Sequence, residues 1–130
     1  MKQHLSAIAL VVPDYDAAIA FYVGVLGFDL IEDTPRSPTK RWVLVAPPGG
    51  QTRLLLAKAA SEAQRAVIGQ QTGGRVFLFL STDDFDRDYA LMRQKGVVFE
   101  ETPRDESYGR VAVFVDPFGN RWDLIEEKHG

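Results

Sequence analysis

The 130-residue chain contains no cysteine. That one absence excludes disulfides, thiolate zinc sites, iron–sulfur clusters and a cysteine nucleophile. Histidine is nearly as scarce, with only His4 and His129, each within a few residues of a terminus. No apolar run approaches the roughly 20 residues of a membrane-spanning helix. The longest, 7–12, 76–80 and 111–115, have strand lengths. Positive charge is not in excess either: Lys plus Arg is 15 against 18 Asp plus Glu, a net charge of -3, so there is no overall basic field for nucleic acid. The opening Met1-Lys2-Gln3-His4 runs into an apolar stretch stopped by Pro13-Asp14, with no small-residue cleavage pattern behind it. That argues against a secretory signal and predicts a cytoplasmic protein.

What is present, 45% hydrophobic and 25% charged residues, predicts a single globular domain over 1–130. Residues 5–12 read as a strand ended by Pro13. Asp14 is placed to cap a helix carrying Ile19, Tyr22, Val23 and Leu26, and Gly27 stands where a left-handed C-terminal cap is wanted. A strand at 28–33 follows, then two more at 41–46 and 53–57 around Pro47-Pro48-Gly49-Gly50, a hairpin. After a polar, alanine-rich stretch the order begins again. Residues 76–81 form a strand, Asp83-Asp84 caps a helix with Phe85, Tyr89 and Met92 at helical spacing, and Gly96 closes it. Strands at 97–101, 110–115 and 121–125 complete the second set, the last two joined through Asp116-Pro117-Phe118-Gly119-Asn120.

The two sets agree residue by residue. Asp14-Tyr15-Asp16 matches Asp84-Phe85-Asp86 at an offset of 70, Gly27 matches Gly96 at 69, and Thr34-Pro35-Arg36 matches Thr102-Pro103-Arg104 at 68. Arg41 matches Arg110, Pro48 matches Pro117 and Gly50 matches Gly119, all at 69. The chain is therefore a tandem duplication of a βαβββ module, with module one at 5–58, a linker at 59–75 and module two at 76–126. The fold class is α+β, and each module is too small to bury both faces of its sheet alone.

The run from Ala9 to Tyr22 through Pro13-Asp14-Tyr15-Asp16, then Leu26-Gly27-Phe28, and later Val115-Asp116-Pro117-Phe118-Gly119-Asn120, resembles the vicinal oxygen chelate superfamily. That group includes glyoxalase I, bleomycin resistance proteins, fosfomycin resistance enzymes and extradiol dioxygenases. The resemblance implies paired βαβββ modules forming an incomplete barrel around a concave cavity, usually in a dimer. It also implies where metal-using members put their ligands, on the first and fourth strands of each module. Here those positions are Ala7, Leu54 (Leu55 if the hairpin register slips), Phe77 and Asp123. An open catalytic metal site wants at least three nitrogen or oxygen donors, and one carboxylate does not supply them. His4 has the opposite strand parity to Ala7, and His129 lies in the terminal tail. Neither a metal nor another cofactor is expected.

Alternation puts Ala7, Ala9, Val11, Thr52, Leu54, Leu56, Phe77, Phe79, Arg121, Asp123 and Ile125 on the concave face, with Leu10, Leu78, Leu80, Trp122 and Leu124 under the helices. Asp123 is then the one acid in an apolar cavity, either a candidate acid or base or a partner in an ion pair with Arg121 or another arginine. Trp42 and Tyr108 are candidate cavity walls or interface residues. Arg36, Lys40, Arg41, Arg53, Arg75, Arg104 and Arg110 are interspersed with acids, and no glycine-rich phosphate loop opens a helix. Ser61, Ser81 and Ser107 lack a central histidine for a nucleophilic triad. Residues 62–68 read as a connector or a short helix.

Three functions remain open on these residues. The first is a metal-independent, homodimeric small-molecule binding protein, with Phe77 and Phe79, aided by Trp42, Tyr108, Phe114, Leu54 and Arg121, holding an apolar or planar body while Asp123 orients a polar group. The second is a lyase or isomerase using Asp123 as base on a small oxygenated or carbonyl substrate, with an arginine stabilising developing negative charge. The third is an interaction module with a filled core. None of them calls for a nucleic acid or membrane partner.

Overall fold

The computed structural model describes residues 1–128, so His129 lies outside the described residues. Two compact units divide the chain at 68/69. The first holds β1 (Ala7–Val12), α1 (Tyr15–Ile19, continuing as a π-helical segment, Ala20–Val25), β2 (Asp29–Pro35), β3 (Arg41–Ala46), β4 (Arg53–Lys58) and α2 (Glu62–Val67). The second holds β5 (Leu78–Ser81), α3 (Phe85–Gln94), β6 (Val98–Phe99), β7 (Arg104–Glu106), β8 (Gly109–Val115) and β9 (Arg121–Glu127). The first sheet has the order β1-β4-β3-β2; the second runs β5-β9-β8-β6, with β7 also on β8. In both, the first strand pairs parallel with the last and the other pairs are antiparallel. The α+β class and the repeated order are those the sequence predicts, except that the strand expected at 97–101 is the two-residue β6 and is followed by a further short strand, β7, so the second sheet has five strands. No described helix is long and apolar enough to cross a membrane.

The helix starts follow from local chemistry. The Asp14 carboxylate accepts from the Ala17 N–H at 2.8 Å, and Asp84 accepts from the Arg87 N–H at 3.1 Å. Each satisfies an orphan amide of a first turn. Gly27 and Gly96 end their helices at φ 80° and 88°, where a side chain would be strained. Residues 62–67 are a helix with Ser61 as its cap, and this helix belongs to the first unit, inside the stretch that reads as linker.

The repeated Asp-aromatic-Asp and Arg signatures form the same clamp twice. In the first unit the Arg41 guanidinium lies 5.2 Å from the Tyr15 ring centroid and pairs with Asp16 at 2.9 Å and Asp33 at 2.7 Å. In the second, Arg110 lies 5.4 Å from the Phe85 ring and pairs with Asp86 at 3.4 Å and Asp105 at 2.9 Å. The clamps tie the start of α1 to β3 and the start of α3 to β8. Asp33 is held below the usual carboxylate range by its hydrogen bonds to Arg41.

The Asp-Pro-x-Gly-Asn motif is a buried polar knot. Asp116 accepts from the Phe118 and Asn120 amides at 2.9 and 2.8 Å and from the Asn120 side-chain amide at 2.7 Å. The Asn120 side-chain Oδ1 accepts in turn from the Gly69 N–H at 3.3 Å and from the Gln71 side-chain amide at 3.1 Å. Both Asp116 and Asn120 are buried, so the motif's polar atoms are satisfied by one another rather than by water.

In the second unit the helix-facing side of the sheet is an aromatic chain. Phe85 contacts Tyr89, Tyr89 meets Phe99 edge-on at 4.6 Å, Phe99 meets Phe114, and Phe114 stacks on Trp122 at 5.7 Å. Phe114 is fully buried in that chain, which corrects its expected role as a ligand-holding ring. The first unit buries Leu10, Val12, Tyr22, Val43, Val45, Leu54 and Leu56.

Leu54 is a second correction. In the parallel β1–β4 ladder Ile8 pairs with Leu54 and Leu10 with Leu56, while Ala9 pairs with Leu55. Paired residues share a face, so Leu54 and Leu56 lie with buried Leu10 on the helix-facing side, and Leu55 takes the opposite face. Thr52 precedes β4 and takes no part in its ladder. The physical cause is loop length. Residues 47–52 connect β3 to β4, whereas 116–120 connect β8 to β9, and the one extra residue in the first loop reverses the parity of all that follows.

Candidate functional site

On the second sheet, one row across the face turned away from α3 reads Phe79, Asp123, Val113, because Phe79 pairs with Asp123 and Asp123 with Val113. The Glu100 N–H donates to the Val113 carbonyl at 2.9 Å and extends the row. The neighbouring row holds Phe77, whose N–H donates to the Arg121 carbonyl at 2.8 Å, then Arg121 and Val115. The structure thus brings Phe77, Phe79, Arg121 and Asp123 onto one face of one sheet, as alternation predicts. Phe79 is 67% exposed, large for an aromatic ring on a strand. Tyr108 sits in the β7–β8 turn, half exposed, with its carbonyl accepting from the Lys128 N–H.

The charges around Asp123 are arranged so that it is left out. Arg121 forks onto Glu100, at 3.1 Å through Nε and 2.7 Å through Nη2, and donates its Nη1 to the Gly74 carbonyl at 2.9 Å. Arg104 binds Glu101 at 3.0 Å and Glu106 at 2.5 Å. Glu101 also accepts from the Val113 N–H at 3.1 Å. With both arginines engaged elsewhere, Oδ1 of Asp123 is buried without a hydrogen-bond partner. Burial pushes its carboxyl above the usual range; Arg104 pulls the other way, and Glu101 adds to the rise. The ion pair Asp123–Arg121 is therefore not formed, because Glu100 offers Arg121 a bidentate seat at the surface. The partners Glu100, Glu101 and Arg104 are absent from the sequence-derived site, since only strand pairing brings them beside Asp123.

Trp42 and Leu54 belong to the first unit. Leu54 is buried beneath the helix-facing side, as described, while Trp42 lines a cavity of about 540 Å³. Tyr15, Thr39, Lys40, Arg41 and Trp42 form one wall of it, and Leu55, Leu56, Ala57, Lys58, Ala59, Ala60 and Gln64 the other. It exists because β3 and β4 pair only at Leu44–Leu55 and Val45–Leu54 and then diverge. The Tyr15 hydroxyl accepts from the Arg41 backbone N–H at 3.2 Å, in place of a neighbouring strand. Tyr15, Lys40 and Lys58 are cavity residues that strand alternation does not single out.

The fold's metal-ligand positions become Ala7, Leu55, Phe77 and Asp123 once the β4 register is set. Three of these side chains have no lone pair to donate, so the set does not fit a divalent transition metal. Among the described residues no group of three or more His, Asp or Glu side chains is arranged to hold one. His4 lies ahead of β1, exposed and outside any strand, so the alternation expected for it does not apply.

Comparison with known proteins gives a consistent assignment. An uncharacterized protein of Shewanella frigidimarina (strain NCIMB 400) is 56% identical over 128 residues, covering 97% of this chain and 95% of its own length. The crystal structure of UcmS2 superposes with a TM-score of 0.84 at 29% identity, covering 98% of this chain and 100% of that one. TnmS3, described as an antibiotic binding protein from Streptomyces sp. CB03234, superposes with a TM-score of 0.80 at 34% identity, covering 98% of each chain. The family profile of these folds matches residues 4–124, and the chain accordingly belongs to the glyoxalase/bleomycin resistance protein/dioxygenase superfamily.

Proposed function

We propose that the protein is a metal-independent, homodimeric small-molecule binding protein of the cytoplasm that sequesters its ligand on the second sheet. The observation that carries this reading is the partnerless buried oxygen of Asp123 next to the exposed ring of Phe79. An aromatic ring left in water and a carboxylate oxygen left without a donor are each costly alone, and one ligand with a planar body and a donor group relieves both. Phe77 extends the apolar wall and Arg121 closes the rim, whereas Tyr108 sits beside Lys128 at the far end of the β8–β9 ladder. The likeness to TnmS3 supports the class, since that protein is an antibiotic binding protein. Ligands found by thermal shift would be titrated by calorimetry into wild type, Phe79→Ala and Asp123→Asn. Loss of affinity in Phe79→Ala, and in Asp123→Asn for cationic or donor-bearing ligands, is expected. Unchanged affinity in both overturns the site. One equivalent of zinc, nickel, manganese or iron surviving mild chelation overturns the metal-independent part, and a monomer mass of 14.5 kDa in sedimentation equilibrium overturns the dimer.

A second reading has one observation in its favour. The raised pKa of Asp123 keeps a larger share of protonated carboxyl at mildly acidic pH, as an acid–base residue of a lyase or isomerase requires. Turnover of keto-aldehyde adducts or thiol conjugates, lost in Asp123→Asn, would favour it over sequestration.

A further inference from the structure

The first unit's cavity differs in chemistry from the Asp123 face. Its lining includes the aromatic Tyr15 and Trp42, the aliphatic Leu55, Leu56 and Ala57, and three cations, Lys40, Arg41 and Lys58, with no carboxylate among the lining residues. Arg41 already has Asp16 and Asp33, but Lys40 and Lys58 are exposed and form no ion pair among the described residues. Arg36 lies 5.7 Å from the Trp42 ring but already pairs with Glu32 at 3.8 Å. Gln64 spends its carbonyl oxygen on the Ala60 N–H at 2.7 Å, which leaves its amide group as a donor. Acids that intersperse with these cations along the chain are not found in the wall itself.

The duplication indicates what is missing. Leu10–Leu56 and Leu80–Leu124 are equivalent pairs, so Lys58 corresponds to Glu126, as Arg41 corresponds to Arg110. In the second unit Arg110 and Glu126 are direct cross-strand partners, and the β8–β9 ladder stays closed through that pair. In the first unit the same two positions are both cationic, and the ladder opens there. Like charges placed opposite each other destabilise strand pairing.

We propose that this slot binds a planar aromatic carboxylate, its ring against Trp42 and Tyr15 and its carboxylate between Lys40 and Lys58, where the second unit has the carboxylate of Glu126. The slot is built from first-unit residues alone, and its ligand carries the opposite charge from one that Asp123 would hold. The test uses 2-naphthoate, with neutral 2-naphthamide as its isostere, titrated by calorimetry. Naphthoate should bind with an affinity that falls as salt is raised, and the amide at least about tenfold more weakly. The double substitution Lys40→Glu/Lys58→Glu, at two exposed positions, should weaken naphthoate by about tenfold or more, whereas Lys95→Glu/Lys128→Glu, a control with the same net-charge change at exposed positions of the second unit, should not. Trp42→Ala should weaken naphthoate and amide alike. Four outcomes overturn the proposal: no saturable heat at about 1 mM naphthoate, equal affinity for acid and amide, indifference to the double charge reversal, or a loss on Phe79→Ala without one on Trp42→Ala.

Discussion

The two modules share a clamp and differ in their hairpins. In module two, β8 and β9 pair over seven positions, Gly109 to Val115 against Arg121 to Glu127; in module one, β3 and β4 pair at two. The second strand of each hairpin also differs on the face away from the helix, presenting Asp123 in one module and Leu55 in the other. The clamp is the same in both: an arginine on an aromatic ring between two aspartates joins helix to strand. The hairpins diverged because their outer faces are not needed for that, and ligand chemistry has room there. Module one holds a cationic slot, module two an acid without a partner.

The largest contrast lies within module two, between its two sheet faces. Phe114→Ala should cost about 3–5 kcal/mol, since the ring is fully buried in the aromatic chain. Phe79→Ala should stay within about 0.5 kcal/mol, because an exposed ring loses little on truncation. Denaturant unfolding of both variants checks this, and equal costs would mean the register of β5 on β9 is wrong.

Next comes the contrast of turns. Asn120→Ala should cost about 1–3 kcal/mol, because the Asp116 carboxylate loses its side-chain amide donor and the Gly69 N–H loses its acceptor. Gln51→Ala, at the corresponding place in module one and exposed, should cost less than about 0.5 kcal/mol. Thermal unfolding of the pair separates a structural turn from a connecting one.

Asp123→Asn should raise stability at neutral pH. The folded pKa is above the unfolded one, so the wild-type carboxyl contributes stability only when protonated, below the unfolded pKa, and that contribution is lost as pH rises through the folded value. The gain should therefore be present at pH 7 and vanish in the acid range below ordinary aspartate titration. Melting curves of both proteins across pH read it directly. A gain that grows on acidification would reverse the sign of the Asp123 shift.

The smallest expected effect converts one hairpin towards the other. Lys58→Glu gives module one the charge arrangement of module two and should add about 0.2–1 kcal/mol through a cross-strand pair with Arg41. Slower amide exchange at 41–43 and 56–58 is the finer readout. No change there would show that charge is not what holds the hairpin open.

Helices α1 and α3, their Asp14 and Asp84 caps and the glycine stops were legible in the sequence, because each depends on neighbours a few residues away; α2, inside the expected linker, was left open between a connector and a short helix. The face of Phe79 and Asp123 was legible too, since alternation in a short uninterrupted strand needs no partner. Leu54 was not: one extra loop residue in 47–52 is invisible to periodicity within the strand, yet it turns every later side chain over. Phe114 was not either, as alternation alone does not say which face a helix will cover.

By itself the sequence determined the fold class and the duplication, because hydrophobic period, caps and turns are local and repeat at offsets of 68 to 70. Only the tertiary structure decided which charges meet. Arg121 reaches Glu100, 21 residues away, and Arg104 takes Glu101 and Glu106, so Asp123 is left with a buried unpaired oxygen. Lys40, Trp42 and Lys58 likewise come to one cavity through the divergence of two strands. Strand register and competition among neighbouring ion pairs are settled by packing across the sheet, where distance along the chain carries no information.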